Sequence, residues 1–193
     1  MRVFIAFAID DSIRQRIQHF MNVVREFAPD ARWVRAESLH VTLKFIGQQP
    51  KKMVDEIQQL LADVKSVPIQ LSFQGWGFFP APKSARVFWI GVESGPELVQ
   101  LATIVDCKTA QLGFPQEDQF TPHLTLARAG RSGAPRRQRE DARNRTFKRL
   151  QDQLALLPQP EFGTMTAREF FLFDSKLSPG GAEYSKIERY ELR

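Results

Sequence analysis

Two octapeptides of this chain match each other: His40-Val41-Thr42-Leu43-Lys44-Phe45-Ile46-Gly47 and His123-Leu124-Thr125-Leu126-Ala127-Arg128-Ala129-Gly130. Both read His-apolar-Thr-Leu-x-x-x-Gly, 83 residues apart. The chain holds only three histidines and eight threonines. Chance placement of Thr and Leu after two of those histidines has odds of roughly one in ten thousand or less. With 193 residues available, a repeat at this separation asks for one domain of two related lobes spanning 1–193, each lobe supplying one copy.

Each copy has the period of a strand. Residues i and i+2 share a face, so His40 lies with Thr42, and His123 with Thr125. Val41, Leu43 and Phe45 point the other way, as do Leu124 and Leu126. The same alternation puts Lys44 on the His40 face. It puts Arg128, five residues past His123, on the opposite face unless a bulge or a strand end brings it round. Under pseudo-twofold symmetry the two His-plus-Thr faces meet across a cleft.

That arrangement suits a phosphodiester. An unperturbed imidazole titrates near 6.5, so one of a facing pair can be neutral and the other charged near neutral pH. One takes a proton from water and the other gives a proton to the leaving oxygen. The threonine hydroxyls hold nonbridging oxygens. No metal or cofactor is required, and His40 and His123 have no third ligand at useful spacing. The third histidine, His19, falls on a predicted helix outside the repeat. The one cysteine, Cys107, excludes an intrachain disulfide and zinc sites built on two or more cysteines of this chain.

The rest of the chain frames the two motif strands. Residues 2–9 read as a buried strand, followed by helix-start chemistry at Asp10, Asp11 and Ser12. Ile13, Ile17, Phe20, Val24 and Phe27 recur at helical spacing. Strands are expected at 31–35 and 39–46. A helix follows Pro50, with Met53, Ile57, Leu60, Leu61 and Val64 as its stripe. Further strands are expected near 69–77 and 86–92, and a helix from Gly95-Pro96 to Gly113. A strand at 120–127, a helix near 138–157 and strands near 167–174 and 184–192 complete the chain. Interspersed strands and helices favour an α+β or α/β class. No segment reaches transmembrane length and the apolar N-terminal run is too short for a signal peptide. The expectation is a soluble, cytoplasmic monomer without a membrane partner.

Charge is uneven. Residues 128–149 carry nine basic side chains against Glu140 and Asp141, a local +7 in a chain of net +5. A basic segment on a nearly neutral body suggests a polyanionic partner, although a solvated loop and helix face has the same composition. If the segment tracks RNA backbone, oligonucleotide binding should weaken steeply with salt and mononucleotide binding should not. Equal salt slopes for the two would exclude that role.

These residues resemble the two-histidine (2H) phosphoesterase superfamily, whose signature is a pair of His-x-Thr-x motifs. The closer resemblance is to the RNA 2′,3′-cyclic phosphodiesterase family, also called 2′-5′ RNA ligase. It extends over nearly the whole chain: Arg2-Val3-Phe4-Ile5-Ala6, Arg32-Trp33-Val34, Ser38 to Gly47, Gly77-Phe78-Phe79-Pro80, Arg86-Val87-Phe88-Trp89 and Leu112-Gly113-Phe114. Phe120-Thr121-Pro122-His123-Leu124-Thr125-Leu126-Ala127-Arg128 is its most specific part, and Ser175 to Gly181 with Tyr184 also fits. The arginine-rich stretch at 131–149 departs from the family pattern.

The resemblance implies a bilobal, pseudo-twofold α+β fold: two antiparallel sheets flanking a central cleft, with helices outside. It implies hydrolysis of RNA-terminal 2′,3′-cyclic phosphate to a 2′-phosphomonoester, with secondary, reversible 2′-5′ RNA ligation. His40 would be the proton donor and His123 the proton acceptor, roles that spacing alone does not assign. Thr42, Thr125 and Arg128 would bind phosphate. Phe7 and Phe79 could stack a base, and Lys44 could add charge. Partners would be RNA with 2′,3′-cyclic phosphate ends and nucleotides, with no cofactor or metal. Two alternatives stay open: a 2H phosphodiesterase for a small cyclic nucleotide or a 2′-5′ linkage, and an RNA-binding module.

Overall fold

Strand alternation and helical stripes turn into nine strands and four α-helices among the described residues of the computed structural model, which are 1–130, 145–178 and 181–193. The strands are β1 (Arg2–Ala8), β2 (Arg32–Trp33), β3 (His40–Gln48), β4 (Ile69–Phe79), β5 (Val87–Glu93), β6 (His123–Arg128), β7 (Glu161–Ala167), β8 (Glu169–Ser178) and β9 (Gly181–Glu191). The helices are α1 (Asp11–Val24), α2 (Lys51–Ala62), α3 (Pro96–Ala110) and α4 (Lys148–Leu154). The class is α+β.

Two antiparallel sheets form. The first runs β3-β1-β8-β9, and the second runs β2-β6-β5-β4-β7. Both ends of the chain therefore complete the first sheet, and the middle builds the second. The motif strand β3 is an edge of the first sheet. The other motif strand, β6, is capped in the second sheet only by the two residues of β2. β3 and β6 pack against each other, so the repeat copies meet where the sheets meet.

Apolar stripes decide how helices cover these sheets. Ile13, Ile17, Met21 and Val24 bury one face of α1, which lies on β7 of the second sheet. Val54, Ile57 and Leu61 bury α2 against β9 and α3. Leu98, Leu101, Ala102 and Val105 bury α3, which also packs on β3. α1 and α3, each following a strand of one sheet, thus cover a strand of the other, while α2 stays on the first sheet. One continuous apolar core results, holding Val3, Ile5 and Phe7 of the first sheet with Phe73, Phe88 and Leu124 of the second.

Four expectations need correction. The strand expected at 31–35 pairs only over Arg32–Trp33. Phe27 leaves the helix and sits in a short 3₁₀ turn, Arg25–Phe27. The chain ends in three strands where two were expected. β7 escaped notice because Phe162 has no partner: Gln74 pairs with Glu161 and Phe73 with Gly163, which breaks the alternation. Finally, Phe7 cannot stack a base. It pairs with Val41 on the core face of β1 and is 0% exposed. Residues 131–144, most of the basic segment and the start of the expected helix at 138–157, lie outside the described residues. No helix among the described residues is long and apolar enough to cross a membrane.

Candidate active site

Both motif strands carry a bulge at the same place. In β3, Lys44 pairs with Ile5 and Thr42 with Ala6, leaving Leu43 unmatched. In β6, Ala127 pairs with Phe88 and Thr125 with Trp89, leaving Leu126 unmatched. An extra residue inverts the alternation beyond it. His40 and Thr42 share the face of Ala8 and Ala6, as strand period dictates. After Leu43 the faces exchange.

Lys44 therefore does not share the His40 face. It is 3% exposed on the core side, where its ammonium bonds the Asp106 carboxylate of α3 and donates to the Pro115 carbonyl at 2.6 Å. Phe45, expected in the core, instead pairs with Phe4, whose ring packs on His40, and is 55% exposed. In the second copy Ala127 takes the buried place of Lys44, and Arg128 takes the exposed place of Phe45. The bulge thus brings Arg128 round to the His123 side. Aligning the two copies carries the signal: an alanine opposite Lys44 marks a core position.

The imidazoles are held alike. His40 Nδ1 lies 2.7 Å from the Ser38 carbonyl, and His123 Nδ1 lies 2.8 Å from the Thr121 carbonyl. A carbonyl only accepts, so each Nδ1 carries a hydrogen and each Nε2 is the nitrogen left to exchange protons. Aromatic rings flank both. Phe4 and Tyr184 stand 4.7 and 5.1 Å from His40, centroid to centroid. Phe79 meets His123 edge-on at 4.9 Å, and Trp89 lies 6.3 Å away. Trp89 spreads over Gly77, where a Cβ would run into the indole.

Both histidines favour the neutral form. Burial pulls His40 down to about 4, against the Ser38 hydrogen bond; repulsion from Arg128 and His123 adds to the fall. Burial also lowers His123, against the Thr121 hydrogen bond, and Arg128 adds to it. Arg128 thus acts on both imidazoles. Arg32 and Arg2 repel Arg128, and the Tyr184 hydroxyl faces it. Burial raises the Tyr184 hydroxyl, keeping it protonated at neutral pH, while Arg128 and Arg2 oppose the rise. None of Arg2, Arg32 and Arg128 is paired with a carboxylate among the described residues. Arg128 beside two neutral imidazoles, with Arg2 and Arg32 acting on it and no carboxylate partner for the three among the described residues, makes a receptor for an anion.

The half-buried hydroxyls of Thr42 and Thr125 complete the two faces. Sequence reasoning placed His40, Thr42, His123, Thr125 and Phe79 in this region, and they are there. It left out Arg2, Arg32, Phe45, Trp89 and the side chain of Tyr184. Lys44 and Phe7 belong to the core. His19 is exposed on α1, away from the motif strands. Among the described residues no three His, Cys, Asp or Glu side chains converge as a metal site.

Comparison with known proteins agrees with this architecture. The family model of the 2′-5′ RNA ligase superfamily matches residues 9–159. A protein of Archaeoglobus fulgidus named RNA 2′,3′-cyclic phosphodiesterase is 33% identical over 191 residues, 99% of this chain and 100% of that protein. One of the same name from Methanothermobacter thermautotrophicus is 29% identical, over 100% of this chain and 99% of that protein. The crystal structure of Escherichia coli LigT complexed with 3′-AMP superposes with a TM-score of 0.76 at 26% identity, covering 99% of this chain and 97% of that one. With the match spanning both motif strands and the fold shared end to end, the chain belongs to the 2′-5′ RNA ligase superfamily, a family of 2H phosphoesterases.

Proposed function

We propose that this protein hydrolyses RNA-terminal 2′,3′-cyclic phosphate to a 2′-phosphomonoester through His40 and His123, without a metal. The observation that carries the reading is the matched pair of imidazoles, each tied at Nδ1 so that Nε2 is left for proton transfer, with Arg128, which has no carboxylate partner among the described residues, acting on both. The names of the relatives support the substrate class, and the nucleotide in the LigT structure supports a nucleotide-sized anion.

In this mechanism the cyclic phosphate monoanion lies between the motif strands. Arg128, Thr42 and Thr125 donate to its nonbridging oxygens. His123 Nε2 takes a proton as water oxygen attacks phosphorus. The P–O3′ bond breaks, and His40 Nε2–H gives its proton to the 3′ oxygen. The pair ends with its proton moved from His40 to His123, and exchange with solvent resets it. A 5′-hydroxyl in place of water would give a 2′-5′ linkage by the same transfers, the secondary activity.

The acid must be charged before it can act, yet His40 in the free protein titrates at about 4. The phosphate anion supplies the missing stabilisation, because it offsets the repulsion from Arg128 and favours both imidazolium forms. The sign of the pH effect follows. The profile of kcat/KM reports the free enzyme and should peak below 6.5, the ordinary histidine value. The profile of kcat reports the complex and should peak at higher pH. Superimposable profiles would contradict the proposed coupling.

Product analysis tests the reaction itself. Adenosine 2′,3′-cyclic phosphate, with EDTA present, is expected to give only adenosine 2′-phosphate. A 3′-phosphate product would reverse the leaving oxygen, and loss of activity in EDTA would reject the metal-free mechanism.

A further inference from the structure

Each wall of the cleft carries imidazole and hydroxyl at one end and guanidinium at the other. On the first sheet, β1 pairs Ala8 with His40 and Ala6 with Thr42, and its far end is Arg2. Arg2 shares the face of Phe4 and Ala6, because β1 alternates strictly: Val3, Ile5 and Phe7 enter the main core, while Phe4 and Ala6 pack with Phe171 and Phe173 on the other side. On the second sheet, β6 runs from His123 past Thr125 to Arg128, whose partner on β2 is Arg32. The next residue, Trp33, packs edge-on against Phe88 of the core, so Arg32 stands on the other face with Arg128.

The two guanidinium ends face each other. Arg2 and Arg32 both repel Arg128, and Arg2 and Arg128 both act on the Tyr184 hydroxyl. Like charges directly opposite on paired strands are unfavourable, and none of the three arginines pairs with a carboxylate among the described residues. A cyclic phosphate does not use up this charge. It is a monoanion, and Arg128, Thr42 and Thr125 already answer it. Arg2 lies four residues beyond Ala6, the partner of Thr42, about 13 Å along the strand. That span suits a neighbouring phosphate of the same chain rather than the one held at Thr42.

We infer that Arg2 and Arg32 form a second phosphate subsite, which takes the phosphodiester joining the terminal nucleotide to the rest of the RNA. The assignment rests on the cyclic phosphate being held at Thr42 and Thr125, as proposed above. The subsite makes the cleft a reader of chain ends: a nucleoside 2′,3′-cyclic phosphate fills one anion place, and an oligonucleotide end fills both. Arginine is the side chain suited to it, because its planar fork matches phosphate oxygens. A backbone contact of this kind carries no base preference.

The test uses three substrates: adenosine 2′,3′-cyclic phosphate, the diadenosine dinucleotide ending in the same cyclic phosphate, and that dinucleotide with an uncharged methylphosphonate linkage. Wild type, Arg2→Gln and Arg32→Gln are compared on each, and calorimetric binding of the three matching 2′-phosphates runs in parallel. Wild type is expected to favour the dinucleotide over the mononucleotide roughly tenfold in kcat/KM and in Kd. The neutral linkage should remove that preference. Each variant should lose most of it, and should no longer separate the charged linkage from the neutral one. A preference that survives the neutral linkage, or survives both substitutions, would overturn the proposal. Equal losses on mononucleotide and dinucleotide would overturn it too, because the two arginines would then act only through Arg128. If wild type turns over none of the cyclic phosphates, the phosphodiesterase reading fails, and the binding comparison still decides the subsite.

Discussion

Alanine at His123 should lower kcat for a nucleoside 2′,3′-cyclic phosphate on the order of 10³-fold, with nucleotide affinity held close to wild type. The Nδ1 anchor to Thr121 leaves His123 one working nitrogen, and removing it leaves water without a base. The phosphate keeps Arg128, Thr42 and Thr125, so binding survives. Alanine at His40 should cost about as much, because the 3′ oxygen then leaves without a proton. The double variant should be little worse than either single one, since the two transfers serve one displacement and their losses do not add. Steady-state kinetics on the three variants, with calorimetry for a bound nucleotide, decides the matter. Activity within tenfold of wild type in either single variant would remove that histidine from the mechanism. If wild type is inert on every cyclic phosphate but binds RNA, the protein is a binding module.

The second large effect is on stability. Asp106→Ala should destabilise the fold by about 3–5 kcal/mol, the usual cost of stranding one member of a buried ion pair. Lys44 is 3% exposed and Asp106 15%, so little solvent reaches the ammonium once the carboxylate is gone. The Pro115 carbonyl and, at 3.9 Å, the half-exposed Glu117 are partial substitutes. Lys44→Met removes the buried charge itself and should cost far less, because Asp106 keeps the Glu117 backbone N–H at 3.2 Å. Thermal melting would separate the two, with Asp106→Ala lowering Tm by roughly 10 °C. Equal losses would mean that the pair is not the source of the stability. Activity should fall in Asp106→Ala as well. Lys44 joins the first motif strand to the loop at 115–117, and that loop leads into Thr121 and His123.

Much of this site was legible in the chain alone. Side-chain alternation is a property of the extended backbone, so the common face of His40 and Thr42, or of His123 and Thr125, needs no knowledge of neighbouring strands. The repeat demanded two motif strands, and helical stripes located α1, α2 and α3. An α+β fold of two antiparallel sheets followed from the same reading together with the family resemblance.

What the chain could not disclose begins one residue after each Thr-Leu. A bulge is a mismatch between two strands, and whether Leu43 and Leu126 have partners depends on how β1 and β5 lie beside them. Those strands are distant in sequence, and only the packed sheets fix the register. Tertiary structure alone therefore buried Lys44, exposed Phe45 and carried Arg128 to the histidines. It also buried Phe7, whose face of β1 joins the apolar core shared with the second sheet. The gathering around Arg128 has the same origin: Arg32 is its cross-strand partner from β2 in the second sheet, and Arg2 and Tyr184 come from β1 and β9 of the first and reach it only when the two sheets meet. Local periodicity determined which residues could do the chemistry, and strand pairing over long separations decided which charges and rings surround them.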